Sequence, residues 1–230
     1  MIHAKEPLNV YIGYDSSQDV AYHACRQSMI DHGFDPALIH PLVQSELRQR
    51  GVYWRAVDEK ASTEFSLTRF LVPFLNGYSG RSLFCDSDFL WRCNPMEVFE
   101  KYNDAKHNVH VVKHDLSADC LSSIKMDDKV QEWYPKKNWS SLMLFENKWC
   151  TSLTPKYVNE ALPSQMHRFQ WVMSEDRIGS VDPTYNSLVG YYGYDRENPR
   201  AVHFTDGGPW LKGYEGVPFA EEWRSVQQRT

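Results

Sequence analysis

Short apolar runs bounded by turn residues alternate with helically spaced stretches through the first half of the chain. Leu8-Asn9-Val10-Tyr11-Ile12-Gly13 favours β structure and ends at a glycine, which predicts a first strand. Asp15 to Gln18 offers polar capping groups before Val20, Ala21, Cys25 and Met29, a helical pattern that Asp31-His32-Gly33 stops. Leu38 to Leu42 predicts a second strand. Thr63 to Val72 carries apolar side chains at helical spacing and ends near Pro73 and Gly77. After the Gly80-Arg81 turn, Ser82-Leu83-Phe84-Cys85 reads as a buried strand. Val109 to Lys113, Trp139 to Phe145 and Ala201 to Phe204 predict further strands.

This alternation predicts an α/β fold: a mixed, mainly parallel central sheet flanked by helices, within one domain covering residues 1–230. Ligands of such sheets bind beyond the carboxyl ends of the strands. Gly13-Tyr14-Asp15, Asp86-Ser87-Asp88 and His114-Asp115 all fall at such ends, and their convergence says more than any one of them alone.

Composition narrows the field. The net charge is −5 and no basic tract exceeds two adjacent residues, which argues against a nucleic-acid binder that tracks phosphates. The 8 Trp, 13 Tyr and 11 Phe fit an aromatic-rich core, or a groove on which sugars stack. Cys25, Cys85, Cys93, Cys120 and Cys150 are odd in number and show no CxxC spacing, so a zinc site or disulfide framework is not expected. No signal peptide opens the sequence and no apolar run is long enough to span a membrane, so a cytoplasmic location is expected.

A D-x-D triplet is a weak pattern by itself. Directly after a buried strand, however, two carboxylates need a cation or donor to offset them. In extended backbone Asp86 and Asp88 share a face and reach one ion. Hard oxygen donors suit Mn²⁺ or Mg²⁺, which bridge diphosphate oxygens. His203, at a strand end before Thr205-Asp206-Gly207-Gly208-Pro209-Trp210, offers a third ligand and favours Mn²⁺. Gly207 and Gly208 let backbone N–H groups approach phosphate oxygens. The other reading of these residues is two capping aspartates and an ordinary core histidine.

Several motifs occur in a fixed order: Gly13-Tyr14-Asp15, Arg69 on its helix, the D-x-D, Asn138 to Phe145, Ile178-Gly179 with Tyr185-Asn186, and His203 to Trp210. The series resembles the GT-A fold glycosyltransferases of family 8, the group of glycogenin and bacterial lipopolysaccharide galactosyltransferases, from Val10 to Trp210. That resemblance implies a nucleotide-binding half over about residues 8–115 and an acceptor half over about 116–215. It implies a UDP-sugar or other nucleotide-diphosphate sugar as donor, a glycan, lipid or protein acceptor, and retention of configuration. Ile12, Gly13, Tyr14 and Asp15 would contact the nucleotide base, and Arg69 and Ser87 the donor. Asp86, Asp88 and His203 would hold the metal. Asp115 and Gln170 would act at the sugar or acceptor.

The final segment is one residue shorter than the family's. Gly208 occupies the place of its phosphate-binding lysine, leaving Lys212 or the Gly207 and Gly208 amides to compensate. Two other classes compete. A sugar nucleotidyltransferase would carry a basic glycine-rich loop after the first strand, which Gly13-Tyr14-Asp15-Ser16-Ser17 is not. A non-catalytic carbohydrate-binding domain would use the aromatics without metal or nucleotide.

Overall fold

The computed structural model describes residues 8–56, 62–104, 106–116, 136–191 and 198–230, with the backbone of two short strands at 124–125 and 129–130. The first strand, β1 (Leu8–Gly13), has the bounds its β-favouring run predicts. Val10 and Ile12 point to one side of the sheet, where they meet Cys25 and Met29 of α1 (Asp19–Asp31). Tyr11 points to the other side, against a cluster that includes Phe65, Phe84 and Phe145. This is the two-residue alternation of a strand with both faces covered. Strand β2 (Ile39–Leu42) contains Pro41, which a sheet edge tolerates because one side of an edge strand needs no N–H donor.

Helix α2 (Gln44–Gln49) follows, and then the helical pattern of 63–72 resolves differently from expectation. It forms turns and a 3-10 segment at Thr68–Leu71, followed by α3 (Val72–Leu75). Pro73 therefore opens a helix rather than closing one, since a first-turn residue has no intrahelical N–H bond to lose.

Strand β3 (Arg81–Cys85) leads through the D-x-D to β4 (Phe89–Trp91), α4 (Met96–Lys101) and β5 (Val109–Val111). Two short strands, β6 (Ile124–Lys125) and β7 (Lys129–Val130), pair with each other. The stretch expected as one strand from Trp139 begins as a 3-10 turn at Trp139–Ser141, and β8 runs only from Leu142–Glu146. Left-handed Asn138, at φ 63°, sets that turn. Helices α5 (Pro155–Glu160) and α6 (Pro163–His167) precede β9 (Ile178–Ser180), β10 (Ser187–Leu188), β11 (Ala201–His203) and α7 (Ala220–Gln227).

The main sheet has the order β2-β1-β3-β8-β5-β9, and β8 runs against the other five. The carboxyl ends of β1, β3 and β5 therefore open on the same edge. A second sheet, β10-β11-β4, carries the chain away from that edge. Behind it, Ala24 of α1, Leu90, Val202, Phe204, Trp223 and Val226 form a separate apolar cluster that fixes α7. Among the described residues, no helix is long and apolar enough to cross a membrane.

Candidate active site

The D-x-D does not continue β3 as extended backbone. Asp86 lies just past the strand, and Ser87 and Asp88 form a turn into β4. The turn arises because β4 leaves the main sheet to pair with β11, so the chain must change direction within three residues. Both carboxylates still point to one place. One ligand atom from each of Asp86, Asp88 and His203 lies within 4.8 Å of the other two.

Strand pairing explains the histidine. In the antiparallel β4–β11 register His203 lies opposite Phe89, the residue after Asp88. Its Nε2 comes 3.2 Å from Asp88 Oδ1, and its ring stacks on Phe89 at 4.5 Å between centroids. The other ring nitrogen, Nδ1, is 2.8 Å from Asn186 Oδ1. Asn186 is fully buried and donates to Ser141 Oγ at 2.9 Å. Ser141 Oγ donates to Asn138 O, and the Ser141 carbonyl accepts from Asp86 N at 3.0 Å. A closed polar circuit thus joins the histidine to the D-x-D turn through three elements. An Nδ1 partner of this kind fixes ring orientation and leaves Nε2 for an ion.

Arg69 is buried on the other side of Asp86. Its Nη1 lies 2.8 Å from Asp86 Oδ1 and donates to Ser140 O at 2.8 Å, while Nε donates to Phe65 O at 3.3 Å. The guanidinium also lies over the Phe84 and Phe65 rings, at 5.0 and 5.3 Å from their centroids. Ser140 Oγ meets His167 Nδ1 at 2.9 Å. Burial, followed by the nearby Arg69 charge, pushes the His167 ring down to about 3, so it is neutral near neutral pH.

Arg69, Asp86, Asp88 and His203 line a small cleft together with Gln18, Ser62, Thr63, Ser87 and Thr205. Two carboxylates and one imidazole, converging and largely shielded, form a donor set that fits Mn²⁺ or Mg²⁺. Arg69 takes up one carboxylate oxygen, so the set is not a bare acidic cluster.

The remaining expected residues fall into three groups. Ile12 is core, so only its backbone is available to a ligand. Gly13 is required because a Cβ there would stand 2.4 Å from the Phe65 ring. Tyr14 donates its hydroxyl to Asp19, and Asp15 caps the next turn through Ser17 N while its second oxygen accepts from Glu64 N at 3.1 Å. Asp115 and Gln170 are exposed and are not among the cleft-lining residues.

Gly207 and Gly208 are buried beneath aromatic rings. A Cβ would stand 2.7 Å from Tyr214 at Gly207 and 1.8 Å from Trp210 at Gly208. The Gly207 N–H is donated to Phe204 O, so it is engaged within the turn, and Lys212 is exposed. Trp210 donates to Gln18 Oε1 at 3.1 Å, linking the glycine turn to the cleft wall. Sequence reading gives Gln18, Ser141 and Asn186 no role at the metal site, although Ser141 and Asn186 fall within the ordered motifs and Gln18 within the capping turn. Cys25, Cys85, Cys93 and Cys150 are buried free thiols, and Cys120 lies outside the described residues.

No family model matches the sequence. The chain is 38% identical over 228 residues to Protein CDI of Arabidopsis thaliana, covering 95% of this chain and 85% of that protein. Its fold is similar to the glycosyltransferase GlyE of Streptococcus pneumoniae TIGR4, with a TM-score of 0.61 and 14% identity over 97% of this chain. The chain spans 60% of the GlyE chain. It is also similar to galactosyltransferase LgtC, solved with donor and acceptor sugar analogs, at a TM-score of 0.58 and 11% identity over 96% of this chain and 95% of that one. At these identities the structural likeness is one of fold, and the fold is the expected GT-A arrangement.

Proposed function

The chain belongs to the family of Arabidopsis thaliana Protein CDI, and we propose that it is a metal-dependent glycosyltransferase. In this reading it moves a hexose from a nucleotide-diphosphate sugar, a UDP-sugar, to an acceptor with retention of configuration. The observation that carries the reading is the convergence of Asp86, Asp88 and His203 beside Arg69, at the strand edge where such folds bind ligands. The likeness to GlyE and LgtC supports the reaction class.

Asp86, Asp88 and His203 would hold the divalent ion, which when bound supplies Lewis-acid stabilisation of the departing diphosphate. Asn186 keeps the His203 ring turned so that Nε2 faces the carboxylates. Arg69 keeps the Asp86 carboxylate in one orientation and contributes a fixed positive charge toward the donor phosphates. Ser87, buried in the turn, and the backbone from Ile12 to Asp15 would meet the donor. Asp115 and Gln170 are assigned to the sugar and acceptor.

A thermal-shift panel of nucleotide sugars with and without Mn²⁺ tests the reading. The true donor raises the melting temperature only when Mn²⁺ is present. In the same reading Asp88→Ala lowers metal-dependent donor turnover about 100-fold or more while keeping the fold. Normal turnover by Asp88→Ala in EDTA overturns it.

A further inference from the structure

A second cluster of ligating side chains lies away from the cleft, in the connection from α4 to β5. Asp104 Oδ1 is 2.6 Å from His107 Nδ1, and its Oδ2 is 3.1 Å from His110 Nε2. The two imidazoles stand edge to face with centroids 4.8 Å apart. One ligand atom from each of the three residues lies within 4.8 Å of the others. We propose that Asp104, His107 and His110 form a second transition-metal site, for an imidazole-preferring ion such as Zn²⁺, independent of the cleft and of the function proposed for it.

The donor set is the first argument. The cleft offers two carboxylates and one imidazole, whereas this cluster offers one carboxylate and two imidazoles. The added nitrogen moves preference from Mg²⁺ and Mn²⁺ toward Zn²⁺, for which three protein ligands and a water complete a tetrahedron. Metal–ligand bonds of about 2.0–2.2 Å require ligand atoms somewhat farther apart than the present hydrogen bonds. Asp104 is half-exposed on its loop, where its Oδ1 also accepts from the Lys106 and His107 N–H groups at 3.2 Å.

Preorganisation is the second. His110 is buried and directly opposes Gly179 in the β5–β9 register. A Cβ on residue 179 would stand 2.2 Å from the imidazole, so the glycine leaves the space that the ring fills. Tyr102 bounds the ring on another side at 5.8 Å between centroids. The loop itself is tied down, since Arg177 donates to Lys106 O and Asn108 N donates to Arg177 O, each at 2.8 Å.

One ion cannot serve both clusters. His110 and Leu83 are both paired with Leu144, so His110 lies level with the middle of β3, and Asp86 lies three residues beyond. Asp104 and His107 precede β5, toward the opposite edge of the sheet. A bound ion would join the α4–β5 loop to the strand it enters.

Zn²⁺ calorimetry and thermal unfolding of the full chain test the proposal, using Asp88→Asn to weaken the cleft site and His107→Gln to remove a partly exposed ligand of the new one. Asp88→Asn is expected to retain one Zn²⁺ per chain, and an excess of about 100-fold over Kd should raise its melting temperature by about 5–10 °C. Adding His107→Gln should weaken that Zn²⁺ at least 10-fold and abolish the shift, with unchanged circular dichroism. Asp104→Asn is the second variant and should behave alike. If Asp88→Asn binds no Zn²⁺, or if both ligand variants bind it as tightly as their parent, the proposal fails. It also fails if His107→Gln lowers the melting temperature equally with and without Zn²⁺, because the carboxylate then only caps two imidazoles.

Discussion

Around the D-x-D turn, each donor is tied to a second element: Asp86 to Arg69 and Ser141, Asp88 to His203, and His203 to Asn186. Asp115, past the end of β5, and Gln170, past α6, are exposed by contrast. The first group is buried or mostly buried around the strand ends, where unpaired polar atoms are costly and every partner therefore constrains the next. The second group is free of that demand. A metal needs ligand atoms placed to a fraction of an ångström, whereas an acceptor contact can tighten when the acceptor arrives.

The contrast can be tested in decreasing order of effect. Arg69→Met should lower stability by about 3 kcal/mol in urea unfolding, because it strands Asp86 and the Ser140 carbonyl in a buried site. Wild-type stability in that variant would mean that water solvates Asp86 and that the flank is less closed than it looks. Asn186→Ala should weaken Mn²⁺ about 10- to 100-fold by calorimetry, since the His203 ring loses its orienting partner. Unchanged Mn²⁺ affinity would reduce Asn186 to a core amide. Asp115→Asn and Gln170→Ala should leave stability within about 0.5 kcal/mol of wild type, as expected for exposed positions. Both should leave Mn²⁺ affinity intact while slowing transfer to acceptor more than donor hydrolysis. If Asp115→Asn weakens Mn²⁺ as much as Asn186→Ala does, the division between the two groups is wrong.

Much of this was legible in the residues. β1 follows its apolar alternation residue for residue, and α1 starts at its capping turn and ends at Asp31 as its pattern requires. The D-x-D was recognisable because it follows a buried run. Pro73 and Trp139 misled for a shared reason: helical and β periodicity mark where apolar side chains fall, but first-turn prolines and 3-10 turns satisfy the same pattern with different backbone. The pattern of glycines after His203 points to close approach by a phosphate, and in the fold a Cβ at either one would also meet the Tyr214 or Trp210 ring. A glycine signals that something comes close; only the fold says what does.

Local patterns thus determined the alternation of strands and helices, the α/β class and the carboxyl ends of β1 and β3, because caps, turns and period-two burial act over a few adjacent residues. The tertiary structure decided which distant groups meet. His203 reaches Asp88 because β11 pairs with β4 in one register, and a shift of one residue would turn its ring to the other face. Asn186 holds that ring, and Trp210 bonds Gln18 from the far end of the chain, through the same long-range packing. Such contacts depend on the placement of whole sheets, which no local window of sequence contains.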